Sequence, residues 1–230
     1  MIISNNNQKY TRLKKKYTKF ETQNMTPNIM IKWKKADKIN IVDTENKKYI
    51  DFTSGIFTSS IGYNNDYLKK AVKQAVDKGF NHTYHYYNNY RELYVSKLIK
   101  FVNSQKLKKC FLVSSGTEAT ETAIKVARIY GGSINKNKIG IITIKGNWHG
   151  RTMGSQMLAG NNQASKWIGF FDKNIHQVDF PYPWVKNFKK NNFFDESIKK
   201  AFKRNFNFKK NISMIMLETF QGWGAIFYPK

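Results

Sequence analysis

Three continuous apolar runs constrain this chain more than any other feature: CFLV at 110–113, IGIITI at 139–144 and ISMIM at 212–216. A half-exposed strand alternates apolar and polar residues, whereas these runs are apolar at successive positions, as in strands covered on both faces. Between the first two lies EATETAIKVARIY (118–130), with apolar residues at helical spacing. Strand, helix, strand in that order predicts βαβ units and a parallel sheet sandwiched by helices. The expected strands are 108–113, 138–144 and 212–218. The helix between the first two should bury Ala119, Ala123, Val126, Ala127 and Tyr130 and stop at Gly131-Gly132.

The rest of the chain fits around that pattern. Residues 66–79 place Leu68, Ala71, Val72, Ala75 and Val76 on one helical face before Gly79, and RELYVSKLIKFV (91–102) is a second amphipathic helix. INIVD and KYIDF flank the turn TENK and predict a β-hairpin. TSGIFTSSIGYNN (53–65) reads as loop. In the Lys- and Phe-rich stretch 184–210, Ile198, Phe202 and Phe206 predict one more amphipathic helix with a solvated basic face. Three segments follow: a loosely ordered basic lead-in (1–25), a hairpin and loop segment (26–60), and an α/β domain (61–230).

Composition excludes several classes. With 40% hydrophobic and 15% aromatic residues the chain is too apolar for a disordered protein. No apolar run approaches the ~18 residues a bilayer span needs, and no apolar block follows the basic N-terminus as a secretory signal requires. The single cysteine, Cys110, leaves no internal disulfide and fits a reducing cytoplasm, where it should serve as a small buried hydrophobe. The net charge of +25 invites a nucleic-acid reading. That charge is nearly all lysine, with only Arg12, Arg91, Arg128, Arg151 and Arg204 able to make forked contacts. No specific nucleic acid and no membrane is therefore expected as a partner.

At Ser114–Thr117 the chain turns from strand into helix. Ser115 and Glu118 have the spacing of a capping box, and Gly116 lets a ligand approach the backbone. The amides of Gly116 and Thr117, the Thr117 hydroxyl and the helix dipole together suit a phosphate dianion, although an ordinary capped helix would carry the same residues. A Walker lysine and the spaced glycines of a dinucleotide fingerprint are both missing. GNWHGRT (146–152) follows the next strand, with Trp148 as an aromatic plate, Arg151 as a carboxylate fork and Gly150 allowing close approach. LETFQGWG (217–224) follows the last and brings Glu218 and Gln221 to the same rim. Ligands of doubly wound sheets bind at these carboxyl ends. The expected ligand is a phosphorylated planar ring beside a substrate acid.

SSGTEATETAIKVAR, WHGRT and LETFQGWGA, in this order and spacing, resemble the class III pyridoxal-phosphate aminotransferases, which include the 4-aminobutyrate, ornithine and acetylornithine enzymes. The resemblance runs from INIVDTENKKYIDFTSGI to Lys230. It implies an α/β protein of the fold-type I pyridoxal-phosphate-dependent transferase class. This chain would be the front half of its mostly parallel sheet, with an N-terminal segment belonging to the small domain. It further implies pyridoxal 5′-phosphate as cofactor, an amino donor and a 2-oxo acid as substrates, and a homodimer with active sites at the interface. Position by position, Ser115, Gly116 and Thr117 would take the cofactor phosphate and Trp148 would stack on its ring. His149 and Glu218 would complete the cofactor shell, His149 as a positioning residue. Arg151 would receive a substrate carboxylate and Ile56 would line the substrate pocket. His82 and His85 lack partners at metal-ligand spacing, so no metal site is expected.

The chain departs from the family in two places. Thr219 stands where a proline is usual, and Trp223 where many members have a glutamate that pairs with a later arginine. The Schiff-base lysine and the acid facing the pyridine nitrogen lie, in the family, beyond the QGxG loop. No catalytic residue is thus expected within these residues, and the chain is expected to be truncated and inactive alone. A cofactor-binding half-protein that pairs with a second chain, or a decarboxylase, aminomutase or racemase fragment, shares the same motifs.

Overall fold

In the computed structural model, residues 15, 16, 19, 20, 22, 31–80, 85–161, 163–182, 193–202 and 207–228 are described. The chain divides into two compact units, Met1–Tyr94 and Val95–Lys230.

The first unit holds an antiparallel sheet of β1 (Trp33–Asp37), β2 (Asn40–Asp43) and β3 (Lys48–Ile50), in that spatial order. The β2–β3 turn is the expected hairpin, and one carboxylate organises it. Buried Asp43 accepts from the Glu45 and Lys47 amides and from the Tyr49 hydroxyl. The following loop contains a single left-handed turn, Ser54–Phe57, with φ of 48°, 56°, 55° and 65°. L-residues avoid this hand, and here Asp51 braces the entry by accepting from the Thr53 amide and hydroxyl. Helix α1 (Asp66–Asp77) follows, capped by the Asn65 side chain on the Leu68 amide. Its apolar stripe stays open, with Leu68, Val72 and Val76 all exposed. Helix α2 (Asn89–Val102) extends the predicted 91–102 by two residues.

The second unit carries the core. Helix α3 (Gly116–Ile134) leads to β4 (Gly140–Ile144), then short α4 (Met153–Leu158), β5 (Ile175–Val178), α5 (Phe193–Ala201), α6 (Phe208–Asn211) and β6 (Ile212–Met216). A small hairpin of β7 (Phe220–Gln221) and β8 (Ile226–Phe227) closes it. The strands pair parallel in the order β5-β4-β6. Central β4 is buried at every position, which is why its sequence is apolar without alternation. Successive residues point to opposite faces. Ile141 packs with Met157, Leu158, Ile168 and Ile175 against Ile124 of α3. Ile142 and Ile144 pack with Val178, Phe180 and Ile212 against Ile198 and Phe202. Phe206 of that predicted stripe lies outside the described residues. Thr143, fully buried in the middle of β4, donates its hydroxyl to the Leu158 carbonyl at 2.7 Å.

Three expectations need correction. The run 108–113 forms no strand: it has no regular structure and no ladder partner among the described residues, with Phe111 74% exposed and Cys110 half-buried rather than buried. An apolar run becomes a strand only when a neighbour takes up its amides and carbonyls. On α3 the buried face is not the alanine stripe, because Val126 and Tyr130 are exposed. The face turned inward instead carries Glu121, Ile124, Arg128 and Gly131. Arg128 donates to the Ile139 carbonyl at 3.2 Å and pairs with Asp172 at 2.6 Å. Burial works against the Asp172 carboxylate, yet the Asn174 amide and the Arg128 guanidinium outweigh it and hold its carboxyl below the usual range. Gly131 does not end the helix either. It is buried in mid-turn, where a Cβ would collide with the Lys138 carbonyl and crowd the Ser213 side chain. Strand β5, IHQV, was not anticipated: four residues with two polar ones among them give little periodicity to read.

Candidate functional site

The turn before α3 has the geometry its sequence predicts. Ser115 is extended (φ −145°, ψ 161°), its hydroxyl accepts from the Glu118 amide at 3.2 Å, and the Glu118 carboxylate accepts from the Ser114 and Ser115 amides at 2.7 and 3.1 Å. This reciprocal cap settles the donors on either side of the turn. It leaves the Gly116 and Thr117 amides without an acceptor among the described residues. A Cβ built on Gly116 would meet nothing within 4 Å, and Gly116 itself is exposed. Ser115→Ala should cost about 1 kcal/mol of stability, the usual worth of an N-cap hydroxyl, measurable as a shifted urea midpoint at unchanged slope.

The loop after β4 is locked onto this turn. Gly150 has φ +127°, and a Cβ there would strike the Thr117 and Ser155 hydroxyls. One turn further along α3, Glu121 accepts from the Thr152 hydroxyl at 2.5 Å and the Ser155 amide at 2.9 Å. The other side of the loop is tied to the segment after β6. Glu218 accepts from the Trp148 amide at 2.9 Å and, through its second oxygen, from the Gly222 amide at 3.4 Å. Gln221, 2% exposed, donates to the Lys145 carbonyl at 2.6 Å and to the Asn147 side chain at 3.2 Å, and accepts from the Tyr182 hydroxyl at 2.6 Å. The segments that follow three parallel strands and the N-terminus of α3 therefore meet at one rim.

Three side chains of WHGRT separate in this setting. Trp148 is 45% exposed and lies nearly parallel to Trp223, centroids 5.8 Å apart at 12°. The Arg151 guanidinium sits 5.2 Å from the Trp148 ring centre, and no carboxylate pairs with it among the described residues. His149 points inward and is buried, and desolvation pushes its imidazole down to about 4, so it is neutral at pH 7. Its Nε2 and the Nδ2 of buried Asn147 have no partner within the protein among the described residues.

The structure thus brings Ser115, Gly116, Thr117, Trp148, His149, Arg151 and Glu218 into the second unit's rim. Ile56 belongs to the first unit, 80% exposed on the left-handed turn. His82 lies outside the described residues. Among those that are described, no three His, Cys, Asp or Glu side chains come together as metal ligands, and no helix is long and apolar enough to cross a membrane. Sequence reading missed Glu121, Tyr182 and Asn147, and it placed Gln221 on the rim without its role as a buried tie. Glu121 had a signal: Thr117, Glu121, Ile124, Arg128 and Gly131 recur at spacings of four and three, a stripe visible only if polar residues are admitted to it.

The fold is that of the fold-type I pyridoxal-phosphate-dependent transferases. A transaminase from the marine bacterium Virgibacillus superposes with a TM-score of 0.78 at 21% identity, over 95% of this chain and 50% of its own. An amine transaminase from an uncultivated Pseudomonas species, solved in a PLP-bound form, gives 0.77 at 19% identity over 91% and 50%. The family model described as Aminotransferase class-III matches residues 22–230, and the chain belongs to that family. The acetylornithine aminotransferase of Aquifex aeolicus is 33% identical over 157 residues, 66% of this chain and 41% of the relative. The mitochondrial acetylornithine aminotransferase of Candida glabrata is 33% identical over 190 residues, 80% of this chain and 41% of the relative. The chain thus spans less than half the length of these curated relatives.

Proposed function

We propose that this chain supplies the cofactor-phosphate and substrate-carboxylate side of a class III aminotransferase. That enzyme would move an amino group between an amine or amino acid and a 2-oxo acid, as a homodimer in the cytoplasm. Residues 26–60 would belong to its small domain and 61–230 to its large one. Pyridoxal 5′-phosphate fits the residues present: unclaimed amides at Gly116 and Thr117, an indole face at Trp148, and buried polar atoms of Asn147 and His149 that want partners. The observation that carries the reading is the pair of unclaimed amides at the end of a 19-residue helix, joined through Gly150 and Thr117 to the Trp148 loop. Both are donors for an anion and both sit at the positive end of the helix dipole.

Each residue then has a physical task. Gly116 and Thr117 would donate to the phosphate while Ser115 holds their turn open. Trp148 would cover one face of the planar ring and exclude water from it. His149, neutral and buried, would hold that loop in place, and Glu218 would fix the Trp148 amide through the bond it already makes. Arg151 would take a substrate carboxylate as a forked, charge-assisted pair. The cofactor, when bound, supplies the electron sink that the amino-group transfer needs. The Schiff-base lysine and the acid facing the pyridine nitrogen are assigned to none of these residues.

The test uses pyridoxine 5′-phosphate, which lacks the aldehyde and so cannot react with the chain's many lysines. Titrated against tryptophan fluorescence, it should bind at least tenfold more tightly than pyridoxine. Trp148→Ala should weaken it by roughly fivefold, the scale of one lost aromatic stack. Equal affinities for the phosphorylated and unphosphorylated forms would remove the phosphate site and with it the reading.

A further inference from the structure

We infer that Trp223 determines substrate specificity: with Trp148 it makes a two-indole wall beside Arg151, suited to a monocarboxylic amino or 2-oxo acid with an aromatic side chain. This rests on the placement of the substrate carboxylate at Arg151 given above.

The first observation is exposure without looseness. Trp223 is 82% exposed, yet its ring is stacked on that of Trp148 at 12°, with the centroids 5.8 Å apart. The loop that carries it is fixed at its base. Gln221 is buried and bonded on three sides, Gly222 donates to Glu218, and β7 pairs with β8 through Phe220↔Phe227 and Gln221↔Ile226. The Phe220 and Phe227 rings stack at 5.1 Å. Glu218 grips both loops at once, so the indole pair is set by the backbone and not by the two side chains alone.

Charge is the second observation. The acids around the rim are engaged: both Glu218 oxygens by the amides of Trp148 and Gly222, and Glu121 by Thr152 and Ser155. Lys145 is paired with Asp179 at 2.6 Å. Arg151 has no such partner among the described residues and rests against the Trp148 ring. Among the described residues, one unpaired guanidinium next to two indoles matches one carboxylate next to one aromatic ring. The second carboxylate of a dicarboxylic acid, laid against Trp223, would lose hydration without gaining a donor. An aromatic side chain there gains an offset stack instead.

The experiment titrates 3-phenylpropionate and glutarate into the chain and into three variants, following tryptophan fluorescence and ligand NMR line widths. In the unaltered chain 3-phenylpropionate should bind more tightly than glutarate. Trp223→Ala should weaken 3-phenylpropionate by about fivefold and leave glutarate unchanged. Because Trp223 is exposed, this variant keeps its fold. Trp223→Phe should recover most of the loss, which a merely structural role would not predict. Arg151→Ala should weaken both acids roughly tenfold. Glutarate binding as tightly as 3-phenylpropionate, no detectable binding of 3-phenylpropionate, or indifference to Trp223→Ala would each overturn the inference. Pyridoxine 5′-phosphate titrated into Trp223→Ala separates the two readings. Retained phosphate selectivity with any of those outcomes sinks the specificity of Trp223 alone, while lost selectivity in the unaltered chain sinks the cofactor site beneath it.

Discussion

Gly150→Ala is expected to destabilise the second unit by about 2–6 kcal/mol and to abolish binding of the phosphorylated ring. Two effects add. At φ +127° the backbone occupies a region that L side chains rarely adopt, at a cost on the order of 1–3 kcal/mol. The new methyl would also strike the Thr117 and Ser155 hydroxyls, and overpacking of that kind costs a further ~1–3 kcal/mol. Rotating the two hydroxyls away does not clear the site, because the Thr117 Cβ itself would stand 3.0 Å from the new methyl. Since Thr117 is the second residue of α3, the collision pushes the helix N-terminus from the loop and opens the rim. Urea unfolding followed by circular dichroism reads the stability, and the pyridoxine 5′-phosphate titration reads the site. A loss below 1 kcal/mol with binding intact would show that the loop and helix are not locked through this glycine.

The second large effect is on pH. His149 is 8% exposed, and burial lowers its pKa from 6.5 to about 4. The unfolded chain therefore binds a proton at this position before the folded chain does. Stability contributed by the neutral imidazole is complete above pH 6.5 and declines as pH falls toward 4, by on the order of 3 kcal/mol. Asp172 acts in a lower window. Its folded pKa is depressed, so its contribution is present above its ordinary value of 3.8 and is lost only below that. The unfolding free energy of the native chain should slope downward between pH 6.5 and 4, and His149→Gln should flatten that slope while leaving the fall below pH 3.8. An equal slope in both proteins would place the acid-sensitive group elsewhere.

The site was legible in the sequence to the degree that its chemistry is local. The Ser115–Glu118 cap involves residues three apart and forms as the spacing predicts. The fold class was legible from the non-alternating apolar pattern of β4, which needs shielding on both faces. Less was available where a face or a pairing had to be chosen. Helix α3 offers an apolar stripe and a mixed one, and burial follows the mixed stripe because Thr152, Ser155, Ile139 and Asp172 satisfy the polar groups of Glu121 and Arg128. Without knowing those partners, hydrophobicity favours the wrong side. Residues 110–113 have strand composition, yet strand formation is a property of two segments, and no described segment pairs with them.

By itself, then, the sequence determined the elements whose bonds close within a few residues: the capped helix start, the hairpin turn organised by Asp43, and a central strand apolar throughout. It also carried, in three ordered motifs, the membership of the class III aminotransferase family. Only the tertiary structure decided which of those motifs touch. Trp148 and Glu218 are 70 residues apart, and Thr152 and Glu121 are 31 apart. Each contact depends on the parallel register of β4 with β5 and β6, which sets where the three strand ends fall relative to one another. Loops of that length close in many ways at similar entropy. The choice among them comes from packing both faces of β4 at once, and that selection is what lays Trp223 on Trp148 and Gly150 against Thr117.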